Sequence, residues 1–385
     1  MLYTCAPGCR DPQHRHASAA PIAATTGTAP ESPSLDGSHR TVQRAAARRI
    51  DVHCHYLQPV VAAKVAHLEP ARYDPSTVFA NALTRETNQR QMQERSVALT
   101  DVNRRLQDMD RMGVDLQVVS PAPFQYYYFT TPSVGATVSR EINEGMRALV
   151  DGNPGRFAAL GTVPLQDAER AMQELAHAMT HLGLRGAEIG TSVNGMDLTD
   201  PRLGLERFFA LANELEAVLF LHPVGFTEGG RLLDHYLNNV IGNPLETTIA
   251  ASRLIFDGVA ARYPKIKFLL AHGGGYLASY WARMDHAWKA RGDCRTVIAE
   301  APSSYLEKMY LDTVVFDPSH LSNLIARYGA SQVLMGSDYP YDMGEEDPVH
   351  LIERVAGLRE EERALILGGN AERIFGLQRE TVTTH

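Results

Sequence analysis

The stretch Ile50-Asp51-Val52-His53-Cys54-His55 is a short, largely apolar run that ends in two histidines. Seven similar runs follow it along the chain, and stretches with helical spacing separate them. Short, nearly continuous apolar runs are typical of parallel strands that are buried on both faces. The eight runs, each of which predicts a strand, span residues 50–53, 116–119, 157–160, 186–189, 218–221, 267–270, 309–312 and 333–336.

Between these runs, apolar residues recur at steps of three or four, which is typical of helices that pack on one face. Residues 102–112 and 168–182 show this spacing, and Asp167 is well placed to cap the second helix. Eight strands that alternate with helices predict an α/β fold, a (β/α)8 TIM barrel with its active site at the carboxyl ends of the strands. An open, doubly wound sheet is the alternative. It is disfavoured because no glycine-rich dinucleotide-binding motif follows the first strand.

The domain organisation follows from a change in composition near residue 48. Residues 1–48 are rich in Ala, Pro, Ser and Thr and have few large apolar side chains, so we predict a disordered tail there. One barrel domain is predicted over residues 49–378, followed by a short tail at 379–385. No secretory signal is predicted, since no basic start is followed by an apolar stretch.

Composition and charge argue against several classes of function. The chain has 385 residues, of which 44% are hydrophobic, as expected for a globular protein. A net charge of −8 argues against nucleic-acid binding, which usually requires a basic surplus. No apolar run approaches the roughly 18 residues of a membrane span. Four cysteines are too few for a disulfide scaffold, so we predict a reducing, cytoplasmic location.

Four of the predicted strands end in side chains that can bind a metal ion. His53 and His55 end the first strand, His222 the fifth, His272 the sixth and Asp338 the eighth. Because the carboxyl ends of barrel strands open onto one face, we expect these residues to converge. A single histidine at a strand end is more often a hydrogen-bonded core residue. The whole set, however, predicts a catalytic site with imidazole and carboxylate ligands.

The role of His272 has two interpretations. The three residues that follow it are Gly273-Gly274-Gly275, which allow a ligand to approach the backbone closely. A metal ion lowers the pKa of a bound water towards about 7, and a nearby histidine can complete the deprotonation. We favour His272 as this acid/base residue, with a further metal ligand as the alternative. Cys54 is expected to point away from the histidines beside it.

Several motifs of the chain match a known family. They are Ile50-Asp51-Val52-His53-Cys54-His55, Met112-Gly113-Val114-Asp115, Leu221-His222-Pro223, Ala271-His272-Gly273-Gly274-Gly275 and Met335-Gly336-Ser337-Asp338-Tyr339-Pro340. From about residue 49 to residue 377, the chain resembles the amidohydrolase superfamily. Within it, the chain is similar to the group typified by 2-amino-3-carboxymuconate 6-semialdehyde decarboxylase.

The resemblance implies a centre with one zinc ion and with His272 as the residue that activates the zinc-bound water. The lysine that bridges two metals in many relatives is missing, since Glu188-Ile189-Gly190 stands at the end of the fourth strand. Manganese or iron are alternatives, because histidine and carboxylate accept several divalent ions. The implied metal ligands are His53, His55, His222 and Asp338.

The resemblance also implies an activity, the non-oxidative decarboxylation of a small unsaturated or aromatic carboxylic acid. In this family pattern, Arg283 binds a substrate carboxylate across the interface of a homodimer, and Arg95 is a candidate for a second substrate arginine. A hydrolase of a lactone or amide, or a hydratase, is the alternative for the same site. A binding protein without catalysis is the alternative of another class. Aromatic residues that could either line an apolar pocket or simply pack are Phe124, Tyr126, Tyr127, Tyr128, Tyr236 and Tyr341.

Overall fold

A computed structural model describes residues 48–377 of the chain. All of these residues fall within one compact unit, Ala46–His385. The tails predicted at residues 1–48 and 379–385 lie outside the described residues, apart from Arg48. The domain boundaries therefore stay predictions.

Ten strands lie within the described residues, and each of the eight predicted strands is among them. β5 and β6 are the two that were not predicted, and they form a short antiparallel hairpin. The strands are β1 Ile50–Tyr56, β2 Leu116–Pro121, β3 Phe157–Ala159, β4 Gly186–Gly190, β5 Ser192–Val193, β6 Met196–Asp197, β7 Val218–His222, β8 Lys267–Leu270, β9 Tyr310–Asp312 and β10 Val333–Leu334.

The other eight strands close into a parallel barrel. β1, β2 and β3 form one parallel sheet, and β4, β7, β8, β9 and β10 form a second one in that order. A parallel bridge between Gly161 and Ala187 joins the first sheet to β4, and another between Cys54 and Tyr339 joins the segment after β10 to β1. The prediction of a (β/α)8 barrel is confirmed. The open-sheet alternative is wrong, because both edges of the two sheets are joined.

The α-helices of the described residues connect successive barrel strands or follow the last one. α4 has the bounds predicted for it, and the side chain of Asp167 caps α6 by accepting from Arg170 N at 3.0 Å. Two π-helical segments, Asn238–Gly242 and Leu365–Gly369, lead into α8 and α15. The helices are α1 Pro59–Val65, α2 Pro75–Val78, α3 Ala82–Thr100, α4 Val102–Met112, α5 Pro132–Gly152, α6 Ala168–Thr180, α7 Glu206–Glu214, α8 Asn243–Phe256, α9 Val259–Arg262, α10 Leu277–Ala290, α11 Pro302–Leu306, α12 Pro318–Tyr328, α13 Pro348–Glu353, α14 Glu360–Ala364 and α15 Asn370–Phe375.

Alternation along β7 places an apolar residue directly beneath the candidate site. Leu219 and Leu221 pack in one apolar cluster, while Phe220, on the opposite side of the strand, packs in another. The Phe220 ring lies 5.0 Å from the ring of His53 and 5.9 Å from that of His222, centroid to centroid. Because side chains two apart on a strand share a face, Phe220 forms an apolar floor under both imidazoles.

The described residues bear on two of the observations from which the location of the protein was predicted. Between residues 48 and 377, no helix combines the length and the apolar character that crossing a bilayer would require. Cys54 and Cys294, the cysteines of this part of the chain, are unpaired. The cytoplasmic location itself stays a prediction.

Candidate metal centre and active site

The strand ends bring five of the six predicted site residues together at the mouth of the barrel. His53 and His55 lie on β1, and His222 ends β7. His272 and Asp338 follow β8 and β10 and adopt left-handed backbone conformations, with φ of 57° and 60°. A positive φ is uncommon for residues other than glycine and persists where the surroundings hold it in place. The local backbone is thus shaped to direct these two side chains into the site.

The glycines after His272 are required by the path of the chain. A Cβ on Gly275, whose φ is +62°, would come within 2.3 Å of the carbonyl oxygen of Pro244. No side chain can be accommodated at that distance. The close approach of this turn to α8 therefore explains why glycine stands there.

The Asp338 carboxylate is the common neighbour of three imidazoles. Its Oδ1 lies 3.1 Å from His55 Nε2 and 3.3 Å from His53 Nε2, and its Oδ2 lies 3.6 Å from His272 Nε2. The ring of His222 is 4.8 Å from that of His55 and 5.0 Å from that of His53. The predicted residues are thus close enough for several of them to bind the same ion.

The unpaired nitrogens of this cluster fit a bound cation. His53 Nε2, both ring nitrogens of His222 and His272 Nδ1 are buried and have no hydrogen-bond partner within the described residues. Buried polar atoms are otherwise nearly always paired. One ligand atom from each of His53, His222, His272 and Asp338 lies within 4.8 Å of every other, an arrangement that could hold a metal ion. Nitrogen and carboxylate donors of this kind suit zinc, manganese or iron.

The surroundings shift the pKa values of the buried histidines in different directions. Burial alone would lower the pKa of His53, but the carboxylates of Asp338 and Asp312 outweigh it and raise that pKa well above its usual value. Burial lowers the pKa of His55 to about 4. Burial, together with the neighbouring imidazoles, also holds the pKa of His222 well below its usual value. Both shifts favour neutral His55 and His222, the form in which an imidazole binds a metal ion.

Asp312 is a site residue that sequence reasoning missed. Its Oδ2 lies 2.6 Å from His53 Nδ1 and accepts from the backbone N of His272 at 2.9 Å, while its Oδ1 accepts from Gly273 N at 2.8 Å. One carboxylate thus orients the His53 ring and also holds the turn that carries His272. Partners of this kind fix the orientation of metal-binding histidines. Asp312 ends β9, so the signal that identified the other residues was present here too.

Glu188 is a second missed residue, and it lies inside the barrel on β4. Its Oε1 accepts from the hydroxyl of Tyr126 at 2.7 Å. Its Oε2 lies 3.5 Å from His55 Nδ1 and has no hydrogen-bond partner among the described residues. Burial raises the pKa of this carboxyl to about 8, although the Tyr126 hydroxyl opposes the shift. The sequence signal was a lone acid within the apolar run Ala187-Glu188-Ile189.

Replacing Glu188 with glutamine should stabilise the metal-free protein, and more strongly as the pH rises. The folded-state pKa of about 8 lies above the usual glutamate pKa of about 4.5, so ionisation above pH 4.5 favours the unfolded chain. The variant's free energy of unfolding minus that of the parent should therefore increase between pH 5 and 8. The increase should be up to about 1.4 kcal/mol per pH unit. Urea unfolding at a series of pH values measures this difference.

The matched control for this variant is Glu214→Gln, which changes an exposed carboxyl at the end of α7. Its effect on the free energy of unfolding should be small and independent of pH. A Glu188→Gln effect that stayed constant from pH 5 to 8 would show that the carboxyl ionises normally in the folded protein.

A cavity of about 460 Å³ opens above the cluster and is lined by His222, His272 and Asp338. Helix α3 contributes Arg85 and Arg95 to the same cavity. Neither guanidinium forms an ion pair or a hydrogen bond within residues 48–377, although most surface arginines of this part of the chain do. The cavity thus combines the candidate metal centre with two cations that are free to bind a carboxylate.

Arg283 is the predicted site residue that the structure does not bring to this cluster. It is exposed on α10 and does not line the cavity of its own chain. The carboxylate of Asp285, two residues further along α10, accepts a hydrogen bond from the Ser303 hydroxyl at 2.7 Å. The predicted role of Arg283 depends on a second subunit, so a single chain leaves it untested.

Cys54 is also outside the site, with its thiol 3.6 Å from Val118 O.

The amidohydrolase family matches residues 50–377, which is most of the chain. The chain belongs to the amidohydrolase family. A 2-amino-3-carboxymuconate-6-semialdehyde decarboxylase from Dictyostelium discoideum is 36% identical to this amidohydrolase over 278 residues, which are 72% of this chain and 77% of that protein. The predicted family is therefore confirmed.

Solved structures with a similar fold agree with the assignment of this chain to the amidohydrolase family. The crystal structure of 5-carboxyvanillate decarboxylase LigW from Sphingomonas paucimobilis matches with a TM-score of 0.76 and 28% identity, over 86% of this chain and 100% of that one. A dihydroxybenzoic acid decarboxylase from Polaromonas sp. JS666, solved with bound manganese and 2-nitroresorcinol, shares the fold with a TM-score of 0.72. It is 22% identical and covers 86% of this chain and 98% of its own. The amidohydrolase is thus an enzyme of the decarboxylase group.

Proposed function

We propose that the protein is a metal-dependent, non-oxidative decarboxylase of a small unsaturated or aromatic carboxylic acid. The observation that carries this proposal is the cluster of buried, unpaired imidazole nitrogens around Asp338, beside a cavity with free arginines. The decarboxylases among the related proteins support the reaction type. Zinc is the proposed ion, with manganese as the alternative that the Polaromonas structure favours. The proposed ligands are His53, His55, His222 and Asp338.

The difficulty of this reaction is the electron pair left on carbon when carbon dioxide departs. A bound divalent cation supplies Lewis acidity, which stabilises negative charge on a substrate oxygen near that carbon. His272 lines the cavity, and its side chain is 15% exposed, so it can reach a substrate. We assign it the proton that is transferred to the carbon bearing the carboxylate. The C–C bond then breaks, carbon dioxide leaves, and the electron pair restores the conjugated system.

The proposed substrate contacts beyond the metal are arginines. Arg95 and Arg85 come from α3 of the same chain and line the cavity. A planar guanidinium can bind a carboxylate through two parallel hydrogen bonds. The two therefore suit an acid that carries more than one carboxylate, or one carboxylate and a neighbouring hydroxyl.

Arg283 is proposed to reach the site of a partner subunit in a homodimer. Tyr276, Tyr280 and Arg283 are four and three residues apart on or next to α10, so they share one face. Tyr276 and Tyr280 are 42% and 68% exposed, and the Tyr276 hydroxyl donates to Ile241 O at 3.3 Å, beside the exposed Val240. An exposed apolar patch of this kind is typical of a protein interface.

A complementation experiment tests this role of Arg283. Homodimers of Arg283→Ala should lose about tenfold or more in kcat/KM, since a hydrogen-bonded charge pair is lost, while they keep their metal. Homodimers of His272→Ala should be nearly inactive. Mixing the two variants with exchange of subunits should restore activity, because one site of each hybrid dimer then has both residues. Hybrids that stay inactive would contradict a contribution across subunits.

Release of carbon dioxide tests the proposed reaction itself. Metal-free protein, reloaded with one equivalent of zinc or manganese, is mixed with hydroxybenzoic acids and with unsaturated dicarboxylic acids. The proposal expects release of carbon dioxide that depends on the metal, with a product lighter by that mass. A product heavier by one water, or cleaved by water, would instead identify a hydratase or a hydrolase.

A further inference from the structure

A second cavity, of about 850 Å³, adjoins the first at the mouth of the barrel. The two cavities share Pro123 and Phe124, which follow β2, and Val224 and Gly225, which follow β7. The second cavity also reaches Gly190 at the end of β4. It therefore opens on the face of the barrel that carries the candidate metal centre, and it shares part of its lining with the first cavity.

Seven aromatic residues contribute to the lining of this second cavity. Their polar tips are largely occupied: the Tyr126 hydroxyl donates to Glu188, and the Tyr128 hydroxyl accepts from Gly190 N at 3.2 Å. What these tyrosines offer to the cavity is mainly the surface of their rings. The aromatic residues that line it are Tyr73, Phe79, Phe124, Tyr126, Tyr127, Tyr128 and Phe129.

The acidic group of the second cavity is already bound within the protein. The Asp74 carboxylate accepts from the hydroxyls of Ser76 and Thr77 at 2.8 Å and caps α2. The rings of Tyr73 and Phe129 stack with centroids 4.3 Å apart and planes 3° from parallel, so each ring covers one face of the other. Aromatic rings favour planar apolar ligands, which pack against them by offset stacking or edge to face.

Charge is thus divided unequally between the two adjoining spaces. The first cavity is lined by His222, Asp338 and the free Arg85 and Arg95. The charged residues that line the second cavity are Asp74, which also lines the first, and Arg72, which is ion-paired with Glu69. A ligand that filled both cavities would place an anionic end at the metal centre in the first cavity and an apolar, planar end in the second. Ligand sites commonly enclose 300–1,000 Å³ with few polar groups, a range that contains the second cavity.

We propose that the second cavity binds an apolar aromatic part of the substrate, which is therefore an acid with a second ring or a comparable planar substituent. This inference rests on the proposed function for the direction of binding, with the carboxylate at the metal centre. The first cavity would bind the reacting carboxylate. The second cavity would discriminate among acids by the substituent that lies opposite that carboxylate.

The experiment compares the binding of two inert probes to the zinc-loaded full-length protein. In 2-nitrophenol, the nitro group replaces the carboxylate, and 3-hydroxy-4-nitrobiphenyl adds a phenyl ring opposite that nitro group. Burial of that ring should make the biphenyl bind at least about tenfold more tightly in calorimetry. Equal affinities, or no binding of either probe, would overturn the proposal.

Variants of Val78 locate the preference for the second ring. Val78 lines only the second of the two cavities and is 44% exposed, so its replacement should leave the fold intact. Val78→Trp should fill the space and Val78→Asp should place a charge in it. Both should remove the preference for the biphenyl while the affinity for 2-nitrophenol is unchanged. Val134→Trp, at an exposed position on α5 outside both cavities, is the matched control.

The outcomes separate this inference from the proposed reaction. A preference for the biphenyl that both Val78 variants abolish supports the second site, even if no acid releases carbon dioxide. A preference that persists in both variants, or an equal loss of affinity for both probes, contradicts it. Release of carbon dioxide from single-ring acids only, with no gain from a second ring, also contradicts it and leaves the decarboxylase proposal standing.

Discussion

Replacing His222 with alanine is expected to remove both the bound metal and the activity. Both ring nitrogens of His222 lack a partner within the described residues, so the protein alone gives this imidazole no polar role. Its pKa is held well below the usual value by burial and by the neighbouring imidazoles, which keeps it neutral and able to bind a cation. Loss of a residue that only supports a ligand costs 10–100-fold in metal affinity, so loss of a ligand should exceed about 100-fold.

Metal content after dialysis, measured by elemental analysis, tests this expectation alongside kcat. His67→Ala, at an exposed histidine outside the barrel mouth, is the control and should keep one equivalent of metal. The metal-free forms of His222→Ala and of the parent should unfold at similar denaturant concentrations, since no hydrogen bond is lost. A His222→Ala variant that retained a full equivalent of metal would remove His222 from the centre.

Replacing His272 with asparagine should have the second large effect, and it should act on the chemistry alone. A positioned proton donor typically contributes 10²–10⁴-fold to a rate, so kcat should fall by about that factor. Metal content should stay at one equivalent, because the four proposed ligands are intact. Asparagine can follow the same backbone path, since it tolerates the left-handed conformation that His272 adopts.

Deuterium exchange distinguishes a proton donor from a residue that merely supports the site. In heavy water, the parent enzyme should exchange the ring hydrogen of the decarboxylated product at the carbon that carried the carboxylate. The His272→Asn variant should lose this exchange even at full metal occupancy. Loss of metal from the variant would instead favour the alternative, in which His272 is a further ligand.

The barrel and the convergence of its site residues could be predicted because both depend on strand patterns. Strands buried on both faces must be apolar throughout, so a polar residue at the end of such a run stands out. His222 after Leu221 and His272 after Ala271 are examples. Closure of the barrel then requires all carboxyl ends to meet, whatever the details of the loops.

Asp312 and Glu188 were missed for different physical reasons. Asp312 has the same strand-end signal as the predicted ligands, but its role depends on reaching His53 and the backbone of His272 from a neighbouring strand. Glu188 lies within an apolar run, where an acid could equally have been a surface residue on a strand edge. Only packing across strands distinguishes these cases.

Helix α3 escaped prediction because it lacks an apolar face. Leu99 is its only buried residue, and the polar Arg85, Gln89 and Arg95 line the cavity of the candidate active site. A helix that faces a polar cavity need not show the apolar period by which helices are recognised. The surroundings of Arg283 could not be predicted from one sequence, since its proposed site lies in another copy of the chain.

Diffraction from crystals of the zinc-loaded enzyme, collected at the zinc absorption edge, shows directly whether one ion lies between these strand ends. We expect one strong anomalous peak within about 2.0–2.2 Å of a nitrogen or oxygen of each of His53, His55, His222 and Asp338, with His272 not bound to the ion. A peak bound elsewhere on the chain, or full loading with no ion between these four side chains, would contradict it.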